Sequence, residues 1–195
     1  MKRIFSFFTV LACAALFTLA ATSCSRFCSK PASSKTLIVY YTWSQDNNTR
    51  KLAQAIHALL PNATLYEIKP QTPYPTEYNE VLKVGQDELK AEKGRPIQPL
   101  TINLKDYSTI LLGTPIWFGT YSVPVKTFLQ ENDLSGKQVI PFCTHGNGGP
   151  GKYYDDVAKL CPNSTVLKGF NRAGANKTDP SAELLAWLKE TKQIQ

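Results

Sequence analysis

Short apolar runs alternate with longer amphipathic segments along most of the chain. Residues 36–41 (TLIVYY) are almost all β-branched, aliphatic or aromatic, a composition typical of a strand buried on both faces of a parallel sheet. Apolar residues then recur at helical spacing over 50–60, and Pro61 and Asn62 predict the end of that helix. By the same reasoning we predict further strands over 63–68, 108–112, 138–142 and 165–168, and further helices over 78–89, 125–132, 153–160 and 181–192.

The order of these elements predicts the fold class. From residue 36 onwards strands and helices alternate without an internal repeat, and such alternation favours a parallel sheet with helices on both faces. We therefore expect residues 36–195 to form one three-layer α/β domain with a five-stranded parallel sheet of order 2-1-3-4-5. Such sheets bind ligands at the carboxyl ends of the strands, where the strand order reverses beside the first strand.

The N-terminal segment lies outside this alternation. Lys2 and Arg3 precede an apolar run over 4–21, and small residues precede Cys24. A basic start, an apolar run and small residues at a cleavage site are the features of a secretory signal. A Cys directly after them resembles a bacterial lipobox, in which that Cys is lipidated and becomes the new N-terminus.

We therefore expect residues 1–23 to be a signal peptide and Cys24 to be lipidated, with 24–35 as a flexible tether rich in Ser and Lys. The protein would then be an exported, membrane-anchored lipoprotein facing the periplasm or the cell exterior. Plain secretion stays open as an alternative. An uncleaved anchor also stays open, although the apolar run barely reaches the ~20 residues that span a bilayer.

The formal net charge of +7 is concentrated outside the predicted domain. Five of the 22 Lys and Arg residues lie before residue 36, whereas all 15 Asp and Glu residues follow it. A nucleic-acid interface needs basic residues clustered on one face, and the domain sequence contains no such cluster. We therefore expect no nucleic-acid partner, whereas the basic tether suits contact with anionic lipid head groups.

Two cysteines, Cys143 and Cys161, lie within the predicted domain. Disulfides persist outside the cytosol, so an exported protein could join the two in a bridge. Two buried thiols are the equal alternative, because sequence alone does not give the geometry that a bridge requires.

Three loops are expected to meet at the carboxyl edge of the sheet, and the first of them covers residues 42–49. Backbone amides and the positive end of the helix dipole attract phosphate at a helix N-terminus. Thr42, Ser44, Asn48 and Thr49 add uncharged hydrogen-bonding groups there. An ordinary capped turn has a similar composition, so both interpretations of this loop stay open.

The second loop, over 113–120, carries Trp117 and Phe118 between two glycines, directly after a buried strand. Two adjacent large aromatic side chains in a loop are difficult to bury in a core. We interpret Trp117 as a flat wall for a planar ligand, with a hydrophobic plug or a contact to a partner as the alternative.

The third loop, over 143–151, contains four glycines in the six positions from Gly146 onwards. Glycine allows the backbone to approach a ligand closely and to donate its N–H groups. His145 could act as a base or hold a metal. The other His of the sequence, His57, lies within a predicted helix, so we expect no metal cluster and keep a structural role for His145 as the alternative to proton chemistry.

Together these segments resemble the flavodoxin family. The match consists of YTWS at 41–44 with NTR at 48–50, GTPIW at 113–117 and PFCTHG at 141–146. The resemblance covers nearly all of residues 36–195. It implies a flavodoxin-like fold and FMN as a cofactor held without a covalent bond.

The resemblance also implies which residues hold FMN. Residues 42–49 would bind the phosphate, 115–119 would cover one face of the isoalloxazine ring, and 143–149 would line its polar edge. The implied cofactor-binding residues are Thr42, Trp43, Ser44, Asn47, Asn48, Thr49, Pro115, Ile116, Trp117, Phe118, Gly119, Thr144, His145, Gly146 and Gly149. Stacking on Trp117 without a positive charge nearby would lower the reduction potential of the flavin.

The phosphate loop departs from the family pattern. Gln45, Asp46 and Asn47 stand where a single Gly is usual, so the loop is two residues longer. Asn47 tolerates a left-handed backbone better than most residues. The Asp46 carboxylate, by contrast, would repel a phosphate.

Electron transfer through FMN, with an unknown redox protein or a quinone as the partner, is the function we expect. The resemblance also fits an FMN-dependent NAD(P)H:quinone oxidoreductase, in which Tyr121, Tyr153 and His145 would surround a second planar substrate. The altered phosphate loop favours a third possibility, a flavin-free binding module in which Trp117 and Phe118 contact a protein or another small ligand.

Overall fold

A computed structural model of the protein describes residues 35–91 and 94–195. Its elements are β1 (Lys35–Tyr40), α1 (Asn48–Leu59), β2 (Thr64–Glu67), α2 (Tyr78–Lys90), β3 (Tyr107–Pro115), α3 (Val123–Glu131), β4 (Gln138–His145), α4 (Tyr153–Leu160), β5 (Thr165–Val166), β6 (Phe170–Ala173) and α5 (Ser181–Glu190). None of the helices within the described residues combines the length and the apolar character that crossing a membrane requires. The predicted signal peptide, Cys24 and residues 25–34 lie outside the described residues.

The strands form one parallel sheet in the order β2-β1-β3-β4-β5, and β6 also pairs with β4. β1 lies between β2 and β3, where Ile38 is in register with Leu65 of β2 and Leu111 of β3. The predicted α/β class and the order 2-1-3-4-5 are therefore confirmed. Parallel pairing brings the carboxyl ends of β1, β3 and β4 to one edge of the sheet.

Two strands extend further toward this edge than the sequence predicts. β3 continues to Pro115 and β4 to His145, beyond the predicted ends at 112 and 142. Gly113 breaks the apolar pattern in the sequence, but in the sheet it lies against the Phe142 ring, where a side chain would collide. The strand backbone therefore fixes residues that the sequence assigned to loops.

The last predicted strand, over 165–168, is shorter in the structure, where β5 covers two residues. A further strand that was not predicted, β6, pairs with the carboxyl half of β4. The apolar pattern does not predict β6 because Asn171 and Arg172 interrupt it. Arg172 is nevertheless buried, since its guanidinium donates to Glu183 (3.1 Å) and to the Thr178 hydroxyl (2.8 Å).

Alternate residues of the sheet contribute to two separate cores. Leu37 and Val39 belong to the core beneath α2, α3 and α4, where Phe128 and Tyr153 are fully buried. Ile38 belongs to the core on the opposite face, which α1 and α5 cover. The helices thus cover both faces, and the domain has three layers.

Cys143 and Cys161 are buried free thiols. Of the two alternatives that the sequence allowed, the structure contains the thiols and no bridge between them. Burial raises the pKa of the Cys143 thiol to about 12, so this group stays protonated and weakly reactive at neutral pH.

Candidate functional site

The carboxyl ends of β1, β3 and β4 border one cavity of about 740 Å³. The predicted cofactor-binding residues that line it are Trp43, Ser44, Asn48, Pro115, Ile116, Trp117, Phe118, Thr144, His145 and Gly146. All three predicted loops therefore contribute to the same cavity, as the strand order requires.

Five of the predicted residues shape the loops without lining the cavity. Thr42 and Thr49 are buried. Asn47, Gly119 and Gly149 adopt positive φ angles of 51°, 82° and 71°. A positive φ reverses the chain direction sharply, so these three positions set the course of the loop backbone.

The first loop leads into a helix N-terminus at the cavity. Asn47 occupies the N-cap position of α1 with a left-handed backbone (φ 51°, ψ 39°). Its side chain makes no capping hydrogen bond and donates to the Gln45 carbonyl oxygen (3.1 Å). The first turn of α1 contains no acidic residue, and Asn48 lines the cavity. The N–H groups of this turn are therefore available to an anionic ligand.

A buried hydrogen bond joins α1 to the end of β4. The hydroxyl oxygens of Thr49 and Thr144 lie 2.7 Å apart, which fixes the helix N-terminus relative to the third loop. The Thr42 hydroxyl is also buried but has no hydrogen-bond partner among the described residues. Because an unpaired buried hydroxyl costs free energy, Thr42 is a candidate to hydrogen-bond a bound group.

Trp117 forms an aromatic wall that neighbouring rings hold in place. It makes edge-to-face contacts with Tyr41, Trp43 and Tyr74, with ring centroids 6.0, 6.4 and 5.0 Å apart. A Cβ atom at Gly85 of α2 would lie 3.2 Å from the Trp117 ring, so the helix packs directly against it. These contacts fix the orientation of the Trp117 ring.

A partly buried polar network holds Tyr74, one of the rings that contact Trp117. The Arg95 guanidinium lies 3.9 Å from the centroid of the Tyr74 ring and donates to Glu88 (2.8 Å). The Tyr74 hydroxyl donates to the same carboxylate. Desolvation, followed by the hydrogen bond to Glu88, raises the pKa of Tyr74 far above its usual range. Tyr74 therefore stays neutral, and the network anchors the ring that contacts Trp117.

Phe118 projects from a tight turn at the mouth of the cavity. The backbone N–H groups of Trp117 and Thr120 donate to each other's carbonyl oxygens at 2.9 and 3.0 Å. The two central residues, Phe118 and Gly119, have φ angles of 51° and 82°, as in a type I′ turn. A left-handed backbone is unfavourable for a bulky residue and often marks a functional position.

The mouth of the cavity is apolar and partly exposed. Among the described residues the large hydrophobic side chains with high exposure are Tyr78 (63%), Leu82 (36%), Phe118 (46%) and Leu185 (41%). The first three of these line the cavity. The contribution of α2 was not predicted, because helical periodicity does not indicate which exposed residues lie beside a distant loop.

Two residues predicted to surround a second substrate lie elsewhere. Tyr153 is fully buried, and its hydroxyl donates to the Leu112 carbonyl oxygen (2.7 Å). Tyr121 packs partly buried against the same core and does not line the cavity. Both side chains pack in the core, and the sequence pattern alone does not distinguish such a residue from one in a pocket wall. His145, the third residue predicted for this role, does line the cavity.

His145 ends β4 at the polar side of the cavity. Its Nε2 lies 3.1 Å from the Oδ1 of Asn171 on β6, and its Nδ1 lies 3.2 Å from the Gly146 carbonyl oxygen. These contacts orient the ring, and a role of His145 in proton chemistry stays open beside the structural one. Within residues 35–91 and 94–195 no group of three His, Cys, Asp or Glu side chains could hold a metal ion.

A fourth loop, between β6 and α5, also contributes to the cavity. Gly174, Ala175 and Lys177 line it, and they were not predicted because the polar residues of β6 interrupt the apolar pattern. The Gly174 N–H donates to the His145 carbonyl oxygen (2.8 Å). A Cβ atom at Gly174 would lie 2.6 Å from the side-chain amide nitrogen of Asn48, so a side chain at this position would displace the Asn48 amide.

Lys177 adds a positive charge to the cavity lining that was not predicted from the sequence. A nearby ammonium group favours negative charge on a bound ligand. The expected lowering of the flavin reduction potential concerns charge beside the ring and stays a prediction.

Comparison with known proteins identifies similar molecules over most of the chain. The flavodoxin family model matches residues 35–191, whereas no curated protein matches the sequence significantly. A candidate flavoprotein from Bacteroides eggerthii DSM 20697 is 26% identical, with a TM-score of 0.70 over 83% of this chain and 99% of that chain. A second, from Bacteroides uniformis ATCC 8492, is 24% identical, with a TM-score of 0.70 over 81% and 99%. A flavoprotein from Lactobacillus acidophilus NCFM in complex with FMN is 26% identical, with a TM-score of 0.63 over 71% and 93%.

The strained turn at Phe118 leads to a prediction about stability. Replacing Phe118 with Asn should raise the free energy of unfolding by about 1 kcal/mol, because Asn accepts the left-handed backbone more readily. Chemical denaturation of the ligand-free chain measures this change. Phe118→Leu is the matched control, since it removes the ring but keeps the unfavourable φ; equal stability of the two variants would contradict the assignment of strain.

Proposed function

The chain belongs to the flavodoxin family, and from this premise we propose that it binds FMN at the carboxyl edge of the sheet and uses it to transfer electrons. One observation carries the proposal: a helix N-terminus, an aromatic wall and a polar backbone edge meet at one cavity of about 740 Å³. This volume lies within the usual range for small-molecule sites. A flavoprotein 26% identical to this chain was solved in complex with FMN.

The first loop suits the phosphate of FMN. The uncapped N-terminus of α1 offers backbone N–H groups and the positive end of the helix dipole. Ser44 and Asn48 line the cavity beside it. Asn47 supplies the left-handed backbone that glycine usually provides at such a turn, so the longer loop keeps a phosphate-binding geometry without its glycine.

The second and third loops suit the isoalloxazine ring. Trp43, Trp117 and Phe118 give an aromatic surface against which a planar ring can pack. Thr144 and Gly146 also line the cavity, and their backbone groups can hydrogen-bond the polar edge of the ring. The edge-to-face contacts of Trp117 with its neighbours fix the orientation of the ring against which FMN would pack.

Bound FMN supplies the one- and two-electron chemistry of flavins. The chain binds the cofactor, orients it against Trp117 and limits the access of water. The exposed side chains of Tyr78 and Phe118 at the mouth form an apolar surface, where a redox protein or a quinone could approach the flavin and exchange electrons with it. In this account no side chain performs chemistry on a substrate.

Flavin binding is tested by titrating FMN with the purified full chain and following the quenching of flavin fluorescence. We expect saturable quenching, and at least a tenfold weaker affinity in Trp117→Leu, because that variant loses the aromatic wall. Trp187→Leu is the matched control, since Trp187 is buried in the opposite core and its loss should leave the affinity unchanged in the folded variant. Absence of quenching at high micromolar FMN would contradict flavin binding and would favour a flavin-free binding module.

The apolar mouth favours a second candidate function, an FMN-dependent oxidoreductase that acts on a planar substrate such as a quinone. Three of the exposed large hydrophobic side chains among the described residues border this one cavity. Such concentration of exposed apolar surface marks binding sites. Tyr78, Leu82 and Phe118 would then contact the second substrate.

Steady-state oxidation of NADH and NADPH by the FMN-loaded chain, with benzoquinone as acceptor, separates the two functions. An oxidoreductase should turn over with saturable dependence on the quinone, and Phe118→Ala should raise the KM severalfold because it removes apolar contact. Leu185→Ala, an exposed residue away from the cavity, is the control. An electron carrier should show no turnover until a separate reductase is added.

We also propose, from the sequence alone, that the protein is exported and anchored to a membrane through lipidated Cys24. A basic start, an apolar run and small residues before a Cys support this. Labelling of a bacterial host with a radioactive fatty acid should mark the wild-type protein and should leave Cys24→Ser unlabelled. Equal labelling of the two forms would contradict the proposal.

A further inference from the structure

We propose that Lys177, on the loop between β6 and α5, binds the phosphate of the flavin and compensates the charge of Asp46. The inference rests on the proposed function. Lys177 lies outside the three loops that the family resemblance predicts to bind FMN, so it would be an additional cation at the phosphate site.

The charges at the cavity motivate the assignment. Among the described residues that line it, Asp46 and Lys177 are the two with permanently charged side chains. Asp46 stands in the loop that would bind the phosphate, where its carboxylate repels a dianion. An additional positive charge near that loop is therefore needed to restore the attraction.

The two cations in the first turn of α1 do not line the main cavity. Lys51 lines a smaller cavity next to it, and Arg50 forms two hydrogen bonds to Glu67, from Nε at 3.0 Å and from Nη2 at 2.8 Å. A bidentate pair of this kind neutralises the guanidinium and fixes its direction. None of the ion pairs found among residues 35–91 and 94–195 includes Lys177, so its charge remains available.

Lys177 lies beside the N-terminus of α1. A smaller cavity of about 230 Å³ adjoins the main one, and both are lined by Asn48, Thr144, Gly174 and Lys177. Asn48 is the first residue of α1. The ammonium group and the free N–H groups of the helix therefore border the same region, where a phosphate can contact both.

The loop that carries Lys177 is held by several hydrogen bonds. The Asn176 side chain accepts from the Thr178 N–H (3.0 Å) and hydroxyl (2.7 Å), and the buried Arg172 guanidinium donates to Thr178. The Lys177 ammonium donates to the Gly174 carbonyl oxygen (3.2 Å). These contacts hold the loop, and with it Lys177, beside the N-terminus of α1.

Comparison of FMN with riboflavin tests the assignment, because riboflavin has the same ring but no phosphate. Both flavins are titrated into the full-length wild type, Lys177→Gln and Asp46→Asn, with fluorescence quenching as the readout. We expect Lys177→Gln to weaken FMN binding five- to tenfold, in line with the loss of an exposed charge pair to a dianion, and to change riboflavin binding less than twofold. Asp46→Asn should strengthen FMN binding and leave riboflavin unchanged.

Lys83→Gln is the matched control. It removes the same charge from an exposed position on α2 that does not line the cavity, so neither flavin should bind differently. An unchanged ratio of FMN to riboflavin affinity in Lys177→Gln would overturn the assignment while leaving the proposed function intact. If the wild type quenched neither flavin, the proposed function would fail and the assignment with it.

Discussion

The parallel pairing of β1, β3 and β4 is the constraint on which the rest of the structure depends. It brings the ends of three separate strands to one edge, where a helix N-terminus, an aromatic wall and a glycine-rich loop meet. The extension of β3 to Pro115 and of β4 to His145 strengthens this constraint. Pro115, Thr144 and His145 of the cavity lining therefore lie on strand backbone, and the hydrogen bond between Thr49 and Thr144 links β4 to α1.

In the proposed FMN site, the first loop differs from the family pattern in its backbone and in its charge. Its backbone turns through the left-handed conformation of Asn47, which replaces the glycine usual in the family. The inserted Asp46 adds an unfavourable charge. In our account Lys177 offsets that charge from a loop more than a hundred residues away in the sequence, because β6 carries this loop back to the edge of the sheet. The aromatic contacts of Trp117 involve neither Asp46 nor Lys177.

The sequence predicted the fold and most of the cavity lining because both depend on local signals. A continuous apolar run marks β1, and unusual loop compositions mark Trp117, Thr144 and Gly146. β6 was not predicted, because Asn171 and Arg172 interrupt its apolar pattern. Both side chains form hydrogen bonds to residues that are distant in the sequence, His145 and Glu183, and the sequence pattern does not indicate such contacts. For the same reason it missed Lys177 and the contribution of α2, and it assigned Tyr153 to a pocket although that ring lies fully within the core. The predicted signal peptide and the lipidated Cys24 lie outside the residues that the structure describes.

Two-dimensional ¹H–¹⁵N NMR of the three tryptophan indoles during FMN addition tests the central claim most directly. Trp43 and Trp117 line the cavity, whereas the Trp187 indole donates to the Lys168 carbonyl oxygen (2.8 Å) in the opposite core. The account predicts that FMN shifts the signals of Trp43 and Trp117 and leaves that of Trp187 in place. Unchanged signals at saturating FMN, or a shift at Trp187 alone, would contradict a flavin site at the carboxyl edge of the sheet.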